Sequence, residues 1–155
     1  METVKAFDRE WKKHNSWNFL MYRVCCILFS VFGAGIMLVP VERDDWSMAV
    51  WSFILLIWAV HFHIAPYLKV MEEGKEVNIY EKLKWMPVSK REVFAVRREY
   101  LAVFCLKAGA VMVVLQQIGA CLSHNWGILN LLFPITETFF LFLLGIFDIN
   151  RNLCQ

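Results

Sequence analysis

The sequence is short of charge. Only 19% of its 155 residues are Asp, Glu, Lys or Arg, against about a quarter in ordinary soluble domains, and they crowd into a few stretches. Disorder is excluded, because it needs high charge and low hydrophobicity. The net charge is +2, too small for a bulk electrostatic attraction to nucleic acid, so no nucleic-acid partner is expected. None of the five cysteines, Cys25, Cys26, Cys105, Cys121 and Cys154, belongs to a CxxC pair, and all but Cys154 fall in apolar runs. That pattern supports neither a disulfide framework nor a zinc site. A nucleotide-binding glycine loop, a Ser/His/Asp order and paired carboxylates are all missing. The chain is therefore expected to be no enzyme, to carry no cofactor and to hydrolyse no ATP itself.

What is abundant is apolar. Hydrophobic residues make up 59% of the chain and aromatic ones 15%, with a mean hydropathy of +0.48, which excludes a soluble globule. Crossing about 30 Å of hydrocarbon takes about 20 helical residues, and four runs are long enough: 18–40, 46–68, 101–122 and 128–147. The connections at 41–45 and 123–127 are very short, so the spans are expected to form two antiparallel helical hairpins, 18–68 and 101–147. The fold class is then all-α: a polytopic membrane protein with four transmembrane helices, in contact with the lipid bilayer. Trp17, Trp46, Tyr67, Tyr100 and Trp126 fall at span ends, where amphipathic rings meet the headgroups.

Basic residues set the orientation, because lysine and arginine near span ends resist translocation. Lys5, Arg9, Lys12 and Lys13 precede the first span. Eight more, from Lys69 to Arg98, lie between the second and third, whereas the two short turns offer only Arg43. Both termini, the middle loop at 69–100 and a tail at 148–155 are therefore expected to be cytoplasmic, in a multi-pass protein of the cell membrane. Residues 1–17 mix acids with bases, and the next apolar run exceeds a signal-peptide h-region, so the first span is expected to stay in the mature chain.

Within residues 1–17, Val4, Phe7, Trp11 and His14 recur at helical spacing, which predicts an amphipathic interfacial helix along the inner leaflet. In the middle loop, Ile79, Tyr80, Leu83 and Met86 share a helical face that ends where Pro87 forbids helical geometry at Met86. A new helix begins at once. Ser89 and Glu92 have the spacing of a capping box, and Val88 with Val93 that of a hydrophobic staple. Val93, Val96, Tyr100 and Phe104 then carry the helical pattern into the third span.

The segment Tyr80-Glu-Lys-Leu-Lys-Trp-Met-Pro-Val-Ser-Lys-Arg-Glu-Val-Phe94, followed by basic residues and a span, resembles the cytoplasmic loop of type-2 ABC transporter permeases. The order of N-terminal helix, two spans, loop and two spans is shared. The family usually has six spans where this chain has four, and Met86 stands where leucine is usual. The resemblance implies a coupling helix, with Ile79, Tyr80, Leu83, Met86, Pro87, Val88, Ser89 and Glu92 at the contact with a cytosolic ATPase subunit. The function it implies is that of a membrane subunit of an exporter, moving an unknown substrate. The alternative is a small four-helix membrane accessory or immunity protein acting by protein–protein interaction. Four helices enclose too little space for a substantial path, so transport would need a homo- or hetero-oligomer with another membrane subunit.

Glu137 falls near mid-bilayer, about 15 Å along the fourth span, where a carboxylate costs several kcal/mol unless it is protonated, paired or facing water. Lys107 on the third span is its natural partner, with a stem long enough to reach deeper. A pair that only fixes packing, or a protonated acid bonded to a neighbouring helix, are the alternatives to a functional site. Pro134, one turn before Glu137, frees a backbone carbonyl and predicts a local kink. Arg23 is read as an anchor that snorkels to the interface. Gln116 and Gln117 are expected to hydrogen-bond between helices. His61 and His63, two residues apart on a helix, point away from each other and cannot share a metal ion.

Overall fold

The computed structural model describes residues 1–39, 47–72, 75–124 and 127–154. The acidic turn at 41–45 with Arg43, and the ring positions Trp46 and Trp126, lie outside the described residues. In chain order the elements are α1 (Glu2–His14), α2 (Ser16–Ile36), α3 (Ser47–Ile64) with a 3₁₀ turn (Ala65–Tyr67), β1 (Lys69–Glu72), β2 (Lys75–Asn78), α4 (Ile79–Leu83), α5 (Lys90–Leu122) and α6 (Leu129–Cys154).

Four helices are long and apolar enough to cross a membrane: Ser16–Ile36, Ser47–Tyr67, Lys90–Leu122 and Leu129–Leu153. Their outer faces carry Leu20, Val31 and Phe32 on α2, Trp51 on α3, Leu106 and Val114 on α5, and Phe139, Phe140 and Phe147 on α6, all exposed. An apolar coat of that extent is a surface for lipid, not for water. The chain is a multi-pass membrane protein.

Small residues let the helices approach, as they must where burying apolar area gives no advantage over lipid. α2 runs alongside α3 in the opposite direction, with the Ser52 hydroxyl donating to the Gly33 carbonyl at 3.0 Å and Phe19 edge-on to Tyr67. α5 pairs likewise with α6, Gly145 lying against Leu101 and Gly109 against Thr138. Leu56, Met112 and Leu141 fill the interior between the pairs.

At 33 residues α5 is about 50 Å long, some 20 Å more than the hydrocarbon needs. Its first turns therefore stand outside the membrane. Ser89 starts it in extended geometry (φ −83°, ψ 151°) with a complete capping box to Glu92, the Ser89 N–H donating to Glu92 Oε2 at 3.0 Å. Around this overhang gather α1, the ribbon, α4 and the end of α6. Val4, Leu68, Ile79, Leu83, Val93, Val96, Ile149 and Leu153 form one buried cluster there, continuous with the core of the spans.

Four expectations need correction. Residues 69–72 and 75–78, read as part of a helical loop, form an antiparallel ribbon with Lys69 opposite Asn78 and Glu72 opposite Lys75. α4 is a short helix that ends at Leu83, well before Met86, with the Asn78 side chain as its cap, accepting from the Tyr80 N–H at 2.9 Å. The segment after 147 is no separate tail, since α6 runs on to Cys154. The apolar face of α1 is not given to lipid: Val4 is fully buried, and Phe7 and Trp11 pack on the core cluster.

Candidate functional site

Two places bear the residues singled out by the sequence: the head around the start of α5 and the acid inside the bundle. In the head, Ile79 and Leu83 are 1% and 0% exposed. The apolar face that the sequence offers to a partner is thus spent on the chain's own core, because ribbon and cap turn α4 inward onto α5 and α6. Tyr80 and Val88 are half-buried against the same cluster. What remains outside is the turn after α4, where Trp85 is 93% exposed, beside Met86, Pro87 and Ser89, which are also exposed, and Glu92, which is half-buried. Trp85 is the most exposed of the large hydrophobic side chains among the described residues.

The loop is clamped behind that tip. The Asn78 side-chain amide donates to the Asn152 carbonyl of α6, and Lys90 Nζ donates to the Leu153 carbonyl at 3.0 Å while lying 5.0 Å over the Tyr80 ring. Lys82 Nζ sits 5.0 Å over the Trp11 ring of α1. The backbone N–H of Ser89, the α-amino group of Met1 and the Ser89 hydroxyl hold the Glu92 carboxylate at a pKa of about 2, well below the usual range. All three neighbouring helices are therefore tied to one turn of loop.

Below the loop is an ion pair that sequence reasoning did not find. Arg97 is 0% and Asp8 4% exposed, with Arg97 Nη2 donating to Asp8 Oδ1 at 2.8 Å and Nη1 to Oδ2. Tyr100 donates its hydroxyl to Asp8 Oδ2 at 3.1 Å, and the guanidinium carbon lies 5.3 Å from the centre of the Tyr67 ring. The available signal was an acid, Asp8, on the same face as Val4, Phe7 and Trp11. Its partner lies 89 residues away, and nothing local names it.

Inside the bundle, Glu137 is 4% exposed and neither carboxylate oxygen has a hydrogen-bond partner among the described residues. The adjacent Ser52 hydroxyl is given to Gly33. Lys107 is exposed on the outer face of α5 and makes no ion pair among the described residues, so the expected Lys107–Glu137 pair does not form. The reason is angular: Cys105, Gly109 and Met112 define the inner face of α5, and residue 107 lies about 200° from residue 105 at about 100° per residue.

Two turns away Asn130 is matched through both its backbone carbonyl and its side-chain oxygen. Pro134 lies inside α6 and lacks the N–H that would bind the Asn130 carbonyl. That carbonyl accepts instead from Gln117 Nε2 at 3.1 Å, while Gln116 Nε2 donates to Asn130 Oδ1 at 3.0 Å. His61 Nδ1 lies 3.5 Å from Asp148 of α6, whereas His63 stacks on Phe104 of α5 at 4.3 Å, so the two imidazoles diverge. No group of three His, Cys, Asp or Glu side chains placed to hold a metal ion occurs among the described residues.

Comparison with family profiles, with characterised proteins and with solved structures finds no match to this chain.

Proposed function

We propose that the chain is a non-catalytic membrane subunit whose cytoplasmic loop takes up the motion of a partner and passes it to the spans. The observation that carries this is the clamp: the segment from Asn78 to Lys90 is bonded to α6 and stacked on α1, yet presents Trp85 at 93% exposure. A force applied at the tip would pass through these contacts to α1, α5 and α6. The loop's resemblance to that of type-2 ABC permeases makes the partner a separate ATPase subunit and the assembly an exporter of unknown substrate. Both termini and the loop then face the cytoplasm, and the membrane is the cell membrane.

This reading moves the contact residues. Ile79 and Leu83 anchor the loop from within, and the partner meets Trp85, Met86, Pro87 and the Ser89–Glu92 edge. A second reading is the four-helix accessory or immunity protein, favoured by the packing of the bundle interior by Leu56, Met112 and Leu141. One copy leaves little room for a path, so transport needs a second copy or another membrane subunit.

Detergent purification of the full chain with its natural partners tests the proposal. An ATPase should co-purify with the unaltered chain and be lost from Trp85→Asp, while membrane insertion and thermal stability stay unchanged because the position is solvent-exposed. An ATPase retained by Trp85→Asp, or none found with the unaltered chain, overturns the exporter reading in favour of the accessory protein.

A further inference from the structure

Between the junction of α1 and α2 on one side and the end of α3 on the other lies a cleft of about 420 Å³, within the range of small-ligand sites. Lys12, Ser16, Phe19 and Arg23 recur at helical spacing along its first wall, and Phe62 and Tyr67 stand on the second. Phe19 is buried and forms an apolar floor, while Lys12, Ser16 and Arg23 are exposed at the mouth. Neither Lys12 nor Arg23 has an ion-pair partner among the described residues. Asp8, one helical turn before Lys12, is engaged by Arg97 and Tyr100. Two cations at the rim of an apolar cleft, on the membrane face of the head, call for a ligand with net negative charge and an apolar tail.

We propose that this cleft is a specific site for one anionic phospholipid of the leaflet on the side of the head. The phosphate lies between Lys12 and Arg23, the Ser16 hydroxyl donates to a phosphate oxygen, and the first methylenes of an acyl chain run along Phe19 between Phe62 and Tyr67. A zwitterionic lipid is disfavoured, since it brings its own cation to a mouth that already has two. Free phosphate gains the charge contact but leaves the apolar walls empty.

Native mass spectrometry of the full chain in detergent, titrated with dioleoyl phosphatidylglycerol and with dioleoyl phosphatidylcholine, measures the preference. About fivefold per cation sets the expectation: the unaltered chain should prefer phosphatidylglycerol by roughly tenfold or more, and Lys12→Gln/Arg23→Gln should abolish the preference. Arg23→Lys should keep most of it. Lys13→Gln, which removes one charge from the same helix at a residue already paired with Glu10, should keep all of it. Equal binding of the two lipids by the unaltered chain, or equal losses in Lys13→Gln and Arg23→Gln, would show a diffuse surface charge and overturn the site. Displacement of bound phosphatidylglycerol by inorganic phosphate at comparable concentration would show that the acyl contacts contribute nothing and overturn the lipid as occupant.

Discussion

Asp8 and Arg97 form a two-pronged ion pair across 89 residues of sequence, and both are buried within a chain whose other described ion pairs lie at or near the surface. Removing one member of such a pair leaves the other charged and desolvated, at a cost of about 3–5 kcal/mol, whereas replacing both with apolar groups is often neutral. Asp8→Ala should therefore lower thermal stability in detergent markedly and expose α1 to protease. Asp8→Ala with Arg97→Met should recover most of the loss. Equal destabilisation by the single and double variants would mean that the pair's geometry, not its charge balance, holds α1 in place.

Glu92 gives the start of α5 a dependence on pH with a definite sign. Its carboxylate is held at a pKa of about 2 by the Ser89 N–H, the Met1 α-amino group and the Ser89 hydroxyl, below the ordinary value near 4.5. A depressed carboxylate stabilises the fold above the unfolded-state pKa, and that contribution fades as pH falls from about 4.5 towards 2. A carbon-13 titration of the Glu92 carboxyl should show a midpoint near 2 in the intact protein, moving up towards the ordinary value in Ser89→Ala. A midpoint near 4.5 in the unaltered chain would mean that the capping box is open in solution.

Gly119 has the closest neighbour among the described glycines. A Cβ there would collide with the carbonyl oxygen of Leu38, a backbone atom that cannot swing aside as a side chain does. Gly119→Ala should cost about 1–3 kcal/mol or more by forcing α5 away from the end of α2. Gly35→Ala, where a Cβ meets nothing within 4 Å, is the matched control. It should be neutral or slightly stabilising, because alanine is the better helix former. Similar thermal midpoints for the two variants would show that the crossing is loose.

How far the sequence reveals this molecule depends on the range of the forces involved. The spans are legible because lipid demands about 20 apolar residues in a row, and the start of α5 is legible because Ser89, Glu92, Val88 and Val93 act within one turn. The ribbon has no sustained alternation to mark it: Val70 lies between Lys69 and Met71, and Val77 between Glu76 and Asn78. The helical spacing of Ile79, Tyr80, Leu83 and Met86 is only partly realised, since the first three alone fall in α4. The burial of Ile79 and Leu83 was not legible at all. An amphipathic helix has the same pattern whether its apolar face meets lipid, a partner or its own chain, and here the choice is made by the ribbon that turns α4 inward. Lys107 failed for a related reason: depth along a span follows from counting residues, but which face turns inward depends on where Gly109 and Gly145 permit contact.

Glu137 yields the prediction that separates a retained function from mere packing. Both oxygens lack hydrogen-bond partners among the described residues, at 4% exposure, and an unsatisfied buried polar group costs about 1–3 kcal/mol. No cation compensates for it, since Lys107 faces outward, and the Ser52 hydroxyl beside it donates to the Gly33 carbonyl. Glu137→Met, close in length and fully apolar, should therefore raise the stability of the purified protein by about that amount, while Lys107→Ala should leave it unchanged. A stabilised variant that retains its partner but fails in the assembly's activity would assign the acid to function, because fold and assembly would then be intact and only the carboxyl missing. Destabilisation by Glu137→Met would show instead that the carboxyl is bonded within the bundle and serves the fold.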